Sequence, residues 1–262
     1  MQLAIQHETV DARRPRLELV RATSAKDIEG AQRLRFRVFV EEMGATIATR
    51  DPGRDVDFFD PWCEHLIVRD RTTDEIVGTY RILTAERARG LGTFYADTEF
   101  DLTRVAALKP SFMELGRACV HPAYRTGATL LLLWQGIAQL MLERDHAYLI
   151  GCASVTMRDG GANALAIWRD VAPDHMAPIE HRVFPRHSLL TQHPSGAAAI
   201  PAAAEGPGTA RLPPLLKSYL RMGAWIGGEP AWDPDFNTAD FFMLLPRARI
   251  AGRYARHYRA AA

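Results

Sequence analysis

Residues Phe112 to Ala128 read FMELGRACVHPAYRTGA, and the chain then continues through TLLLLWQGIAQLML to a second apolar run, YLIGCASV, at Tyr148–Val155. An almost wholly apolar strand, a long apolar helix and another apolar strand are the pattern of a parallel strand pair covered on both faces, so this block points to an α/β fold. Two residues do not belong in such a strand. Glu114 and Arg117 put opposite charges into the core, and buried charges are tolerated only when paired or fully hydrogen-bonded. Their partners, or a reaction they serve, must come from the rest of the chain.

Upstream, Ser24 followed by Asp27 is a capping pattern that starts a helix running to about Met43. At 100° per residue, Ile28, Ala31, Val38 and Phe39 share one face with Arg35 among them, while Lys26, Arg33, Arg37 and Glu41 lie opposite. An inward guanidinium needs carboxylates. The following loop, RDPGRDVDFFDPWCEH, supplies Asp55, Asp57 and Asp60. HLIVRD and EIVGTYRIL, joined by the polar RTTD, read as an antiparallel hairpin, in which period-2 alternation places Arg81 on one face with Val77 and Leu83. A short helix is expected at Ala162–Asp170, another over PLLKSYLRMGA, and a last strand at ADFFMLLP. Together these predict a mixed α/β sandwich around one sheet, a single domain over 1–262. TQHPSGAAAIPAAAEGPGTARLPP, at about 191–214, is expected to be a flexible Ala/Pro/Gly-rich loop, and 247–262 a basic tail.

Composition removes several function classes. The 262 residues carry 32 Lys+Arg against 31 Asp+Glu, a net charge of +1 that gives no global attraction to nucleic acid. Local basic charge gathers in the tail, where Arg247, Arg249, Arg253, Arg256 and Arg259 suit an acidic partner, anionic lipid or a solvated helix end. Cys63, Cys119 and Cys152 are odd in number and widely spaced, so neither a disulfide framework nor a zinc site is indicated, and a reducing cytoplasm is expected. No metal spacing is present around His65 or His121. The N-terminus lacks a continuous apolar segment and Leu130–Trp134 is far too short to cross a bilayer, so any membrane contact is expected to be peripheral.

LRFRVFVEEMGA, DFFDPWCEHLIVRD, VGTYRIL, ELGRACVHPAYRTGATLLLLWQGIA, YLIGCAS, LPPLLKSYLRMGAWIGG and DFNTADFFMLLP resemble the ornithine-acyl-carrier-protein N-acyltransferases, some of them labelled hemolysin-like. The resemblance covers roughly Leu34–Val155 and Leu212–Tyr258. It implies the acetyltransferase-like fold of the GNAT superfamily, a mixed sheet sandwiched by helices. The activity it implies is transfer of a (3-hydroxy)acyl chain from acyl-carrier protein to the α-amine of L-ornithine, giving lyso-ornithine lipid. No cofactor is implied beyond the phosphopantetheine thioester of the carrier as co-substrate. The implied partners are the carrier and L-ornithine, with peripheral contact at the inner membrane. A broader similarity to acyl-homoserine-lactone synthases maps their Arg-x3-Phe onto Arg35 and Phe39, Asp-x2-Asp onto Asp57 and Asp60, the strand arginine onto Arg81, and Glu-x2-Arg onto Glu114 and Arg117. Acetyl-CoA-binding relatives have Arg-x-x-Gly-x-Gly/Ala before the long helix; YRTGAT keeps Arg125, Gly127 and Ala128, with Thr126, in a shorter spacing that fits a donor carrying a protein in place of a nucleotide.

Moving an acyl group from a thioester to an amine needs a neutral amine, a stabilised oxyanion and a held geometry. The thioester is already activated, so Cys119 and Cys152 are read as small buried residues and not as nucleophiles. Glu114 is the candidate for the amine proton. Its odd spacing from Arg117 puts the two on opposite faces under strict alternation, and Gly116 is the natural place for a β-bulge that re-aims a side chain and frees a backbone N–H. Arg117 is expected to hold a carboxylate, or Glu114 itself. Alternative readings are an acyl-homoserine-lactone or other N-acyl amino acid synthase, and a non-enzymatic membrane- or carrier-binding protein, which would need no buried charge cluster.

Overall fold

The computed structural model describes residues 15–49, 51–192 and 210–250. Its elements are β1 (Leu17–Ala22), α1 (Ala25–Phe36), β2 (Glu64–Asp70), β3 (Glu75–Thr84), α2 (Ala85–Leu91), α3 (Ala96–Glu99), β4 (Phe100–Asp101), β5 (Phe112–Val120), α4 (Ala128–Glu143), β6 (Tyr148–Thr156), α5 (Ala162–Asp170), α6 (Ala172–His175), β7 (Phe184–Pro185), α7 (Leu189–Gln192), α8 (Pro214–Met222), β8 (Trp225–Ile226), β9 (Ala231–Asp233) and β10 (Thr238–Pro246). The main sheet runs β1-β2-β3-β5-β6-β10-β8, with β9 beside β10, and β4 pairs β7 separately. Every pairing in the main sheet is antiparallel except β5–β6. That parallel pair is joined by α4, the crossover that parallel neighbours require.

Ser24 caps α1, its hydroxyl accepting the Asp27 N–H at 3.2 Å. The expected single helix to Met43 instead changes pitch: Arg37–Glu42 is π-helical, closed by Met43 N–H donating to Val38 carbonyl at 3.0 Å. Such a wider turn commonly sits at functional sites because it re-aims one side of a helix. Here it delivers Phe39, Glu42 and Met43 to the cleft described below.

Two bulges set which residue faces where. In the β2–β3 ladder Val68 pairs Gly78 but Arg69 pairs Ile76, which leaves Val77 as the extra residue. Val77 therefore joins Tyr80 and Ile82 on the side covered by α4, whereas Arg81 and Leu83 face the other side. The expectation that Val77 shares the Arg81 face is corrected by this one-residue shift, which reverses the alternation. In the β3–β5 ladder Thr79 pairs Cys119 and Arg81 pairs Gly116, so Arg117 and Ala118 together oppose Tyr80. The bulge expected at Gly116 is present one residue later: Arg117 itself takes the left-handed conformation, φ 51°. A non-glycine residue there costs on the order of 1–2 kcal/mol, which its side-chain contacts must offset.

The sheet buries both faces. Leu66, Ile82, Met113, Leu149, Phe241 and Met243 pack under Leu133, Trp134 and Ile137 of α4 and Leu216 and Tyr219 of α8. Leu83, Phe112, Ile150, Phe242 and Leu244 pack on the other side with Ala88 of α2, Phe94, Phe100 and Leu102. Leu34 and Val38 of the first helical segment lie against Cys119. Of the segment read as a loop at 191–214, Thr191 and Gln192 end α7 and Pro214 begins α8, and 193–209 lie outside the described residues. Arg253, Arg256 and Arg259 also lie outside them. Arg247 pairs with Asp145 at 2.9 Å and the Arg249 guanidinium lies over the Trp225 ring at 4.5 Å. Among the described residues no helix is long and apolar enough to cross a membrane.

Candidate active site

The β5–β6 ladder stops early. Only Phe112–Glu114 pair with Tyr148–Ile150, although β5 continues to Val120 and β6 to Thr156. Beyond Glu114 the two strands part. A cleft of about 540 Å³ opens there, lined by Leu115, Gly116, Arg117 and Cys119 on one side and Cys152 and Ser154 on the other. The backbone of β5 on this side has no strand partner, so its polar groups are left for a ligand or solvent. Gly151 sits at the point of parting, where the absence of a side chain lets the Leu115 carbonyl oxygen come close: a Cβ there would collide with it.

Beside the cleft, three arginines from α1, β3 and β5 and three aspartates from the loop before β2 close a ring. Arg35 Nε donates to Asp55 at 2.9 Å and its Nη2 to Asp60 at 2.7 Å. Arg117 donates to Asp55 at 3.1 Å and to Asp57 at 3.0 Å. Arg81 Nη1 then joins Asp57 at 2.5 Å to Asp60 at 3.0 Å. Arg35 also donates to the Asp55 carbonyl. Burial opposes ionisation of Asp60 and Asp57, but Arg35 and Arg81 around the first and Arg81 and Arg117 around the second outweigh it, so both carboxyls fall below their ordinary range. Each anion thus has two cations, which is the condition for burying it.

Of the residues singled out from sequence, Phe39, Arg81, Arg117, Arg125 and Gly127 line the cleft. Arg35, Asp57 and Asp60 stand behind it in the ring, and Thr126 and Ala128 are exposed at the N-terminus of α4. Gly127 caps that helix in the left-handed conformation, φ 87°. Its first-turn N–H groups and positive dipole end suit a phosphate. Arg125 meanwhile holds Glu42 through two bonds of 2.7 Å.

Glu114 lies elsewhere. Its two oxygens accept the Tyr95 and Ala96 N–H groups at 2.7 Å each, and it is bonded to neither Arg117 nor the ring. Burial raises its pKa to about 7 against the lowering effect of those two N–H groups. Of the two expectations for Arg117, that it holds a carboxylate or Glu114 itself, the geometry has the first: it pairs with the carboxylates of Asp55 and Asp57 and not with Glu114. Glu114 instead anchors the segment that brings Tyr95 into the cleft. The Arg117 guanidinium lies over Phe236 at 4.6 Å and Tyr95 at 5.3 Å.

Sequence reasoning missed two cleft acids, Asp233 and Asp240, which are 5% and 2% exposed. Asp240 accepts from Thr238 at 3.0 Å, and Asp233 accepts the Asp235 and Phe236 N–H groups at 2.9 and 3.0 Å. Neither has an ion-pair partner among the described residues. Burial, then the neighbouring Asp233 charge, pushes Asp240 up to about 6, and burial raises Asp233. Asp240 was legible as a charge inside ADFFMLLP, the same kind of signal as Glu114; Tyr95 and Phe236 carried no signal. Burial pushes the Cys119 thiol up to about 12 and raises Cys152 as well, which keeps both protonated.

Residues 34–135 match a family model described as an acetyltransferase (GNAT) domain. Among solved structures, an N-acyl amino acid synthase from uncultured soil microbes superposes with a TM-score of 0.52 at 12% identity, over 89% of this chain and 92% of the other. That likeness is one of fold. An L-ornithine N(alpha)-acyltransferase of Agrobacterium fabrum is 37% identical over 263 residues, 92% of this chain and 85% of the relative. Its namesake in Rhodobacter capsulatus is 34% identical over 252 residues, 92% and 94% of the two chains. With a mixed sheet parted at its parallel strands and identity of this extent along nearly the whole chain, the protein is an acyltransferase that belongs to the L-ornithine N(alpha)-acyltransferase family.

Proposed function

We propose that this enzyme transfers an acyl chain from the phosphopantetheine thioester of acyl-carrier protein to the α-amine of L-ornithine, giving lyso-ornithine lipid. The observation that carries the acceptor is the pair of buried cleft carboxylates, Asp233 and Asp240, neither of which has an ion-pair partner among the described residues, Arg117 acting on both only from farther off. A substrate with two amino groups supplies the missing positive charge, and the name of the family's members is L-ornithine N(alpha)-acyltransferase. Arg117 Nη1 has no protein acceptor among the described residues and suits the substrate α-carboxylate.

In this reading the phosphate of the carrier's prosthetic group meets Arg125, Thr126, Gly127 and Ala128 at the N-terminus of α4, and the thioester reaches the unpaired edge of β5. The amine nitrogen attacks the carbonyl carbon, backbone N–H groups freed at the Arg117 bulge hold the oxyanion, and collapse expels the pantetheine thiolate. Asp240 takes the amine proton, being a carboxylate in the cleft with a pKa of about 6, close enough to that of an α-amine to accept it. Glu114 acts one step back, as the anchor of Tyr95. Peripheral contact with the inner membrane from the cytoplasmic side follows from the amphiphilic product and belongs to the same proposal.

The test is product mass spectrometry of purified enzyme with matched acyl-carrier and acyl-CoA donors against a panel of amino acids. N-acyl-ornithine formed faster from the carrier, and slowed by salt that screens an acidic carrier from arginines, is the expected result. Preferential acylation of homoserine derivatives or of monoamino acids would move the enzyme to another N-acyl amino acid synthase class. Equal or better use of acyl-CoA would remove the carrier.

A further inference from the structure

The Arg117 guanidinium is tied along one edge only. Its Nε donates to Asp55 at 3.1 Å and its Nη2 to Asp57 at 3.0 Å, while Nη1 meets no acceptor among the described residues. Two bonds on one edge of a planar group leave the plane free to hinge about that edge, so they fix where the guanidinium sits but not where Nη1 points. Two aromatic rings supply the missing constraint. The guanidinium carbon lies 4.6 Å over the ring centroid of Phe236, in the turn between β9 and β10, and 5.3 Å over that of Tyr95, just before α3. A cation is drawn to the face of an aromatic ring, where the quadrupole is negative, so each ring resists tilting of the plane away from it.

Each ring is held in turn. The Phe236 N–H donates to Asp233 at 3.0 Å, and its ring stands edge-on to Phe39 with centroids 5.8 Å apart. The Tyr95 N–H donates to Glu114 at 2.7 Å, and its ring stands edge-on to Phe59 at 5.6 Å, over whose face the Arg81 guanidinium lies at 5.6 Å. The Tyr95 hydroxyl makes no hydrogen bond among the described residues, so it is the ring that the fold uses. Arg117, Tyr95, Phe236 and Phe39 all line the cleft. We infer that Tyr95 and Phe236 are positioning residues: together they hold the plane of Arg117 at the tilt that aims Nη1 at the α-carboxylate of the amino-acid acceptor. The inference rests on the reading of Arg117 as the partner of that carboxylate, and it adds two residues that act through Arg117.

The test measures kcat and KM for L-ornithine and for ornithinamide, which lacks the acid's charge, with full-length enzyme and saturating acyl-carrier donor, and KM for the donor as a control. Tyr95→Leu and Phe236→Leu, on separate elements, should each raise KM for ornithine about tenfold and leave that for the donor within about twofold. Tyr95→Phe keeps the ring face and should recover most of what Tyr95→Leu loses. Ornithinamide should be a poor acceptor for wild type and no poorer for either leucine variant, because it offers Nη1 no carboxylate. Thermal unfolding of each variant confirms that folded proteins are compared. Three results overturn the inference: an ornithine KM unchanged in both leucine variants whatever their kcat, a donor KM raised as much as that for ornithine, or a Tyr95→Phe enzyme as impaired as Tyr95→Leu. The first would mean that the aspartates alone aim Arg117, the second that the whole cleft has slackened, and the third that the hydroxyl has the role. Ornithinamide used as well as ornithine by wild type would take the carboxylate away from Arg117, and no acylated ornithine at all would overturn the functional reading itself.

Discussion

Arg117 and Asp57 stand 60 residues apart in the chain and meet at 3.0 Å, the contact that ties the β5 bulge to the aspartate loop. Through Asp55 and Asp60 the same loop holds Arg35 of α1 and Arg81 of β3, so three elements are fixed to one another behind the cleft. A cleft wall built this way is rigid because removing any member of the ring leaves each of its two buried neighbours short of one partner.

Arg35→Met tests that statement. The substitution keeps most of the apolar stem but leaves Asp55 and Asp60 each short of one cation, and it should cost roughly 3–5 kcal/mol of stability. Denaturant unfolding measures it directly. A loss below about 1 kcal/mol, the size of an exposed ion pair, would mean that the ring is not holding the elements together.

Glu114→Gln separates an anchor from a base. An amide offers only one acceptor oxygen to the two N–H groups of Tyr95 and Ala96, and its NH2 opposes one of them, so a stability loss of roughly 1–3 kcal/mol is expected. Unfolding and single-turnover rates are to be measured on the same preparation. Full stability with turnover down by ~10²–10⁴-fold would restore Glu114 as the general base.

The pH dependence follows from Asp240. Burial and Asp233 raise its pKa to about 6, so below that pH the carboxyl is neutral and neither attracts an ammonium nor accepts a proton. Activity with ornithine should rise through about pH 6, and Asp240→Asn should lower activity and remove the inflection. Stability runs the other way for this group. Its folded pKa lies above the ordinary 3.8, so its contribution is fully present below 3.8 and is lost as pH rises toward about 6. Asp57 and Asp60, depressed by arginines, contribute stability above 3.8 that is lost as pH falls through their lowered values. Asp240→Asn should therefore flatten the first slope and leave the acid limb in place.

Gly151→Ala probes the point where the strands part. The added methyl meets the Leu115 carbonyl oxygen on the neighbouring strand, a backbone atom that cannot rotate away. Overpacking of this kind typically costs 1–3 kcal/mol, and a displaced β5 edge should also raise KM for the acyl donor more than for ornithine. Equal changes in both KM values would place the donor elsewhere.

What the sequence alone determined were the elements whose periodicity is strong and local. Helical period exposed Arg35, because an inward charge on an amphipathic helix stands out within four turns, and the buried strand–helix–strand block at Phe112–Thr156 announced the parallel pair. Charges inside apolar strands marked Glu114, Arg117 and Arg81, and the same rule marks Asp240. Tertiary structure decided what those charges do. Whether Glu114 meets Arg117 or the Tyr95 and Ala96 N–H groups depends on a one-residue bulge and on a segment folded back from 18 and 19 residues away. Alternation along a strand is lost at every bulge, and partners brought together by chain reversal leave no spacing to read, so the ring, the unpaired acids and the aromatic seat of Arg117 exist only in three dimensions.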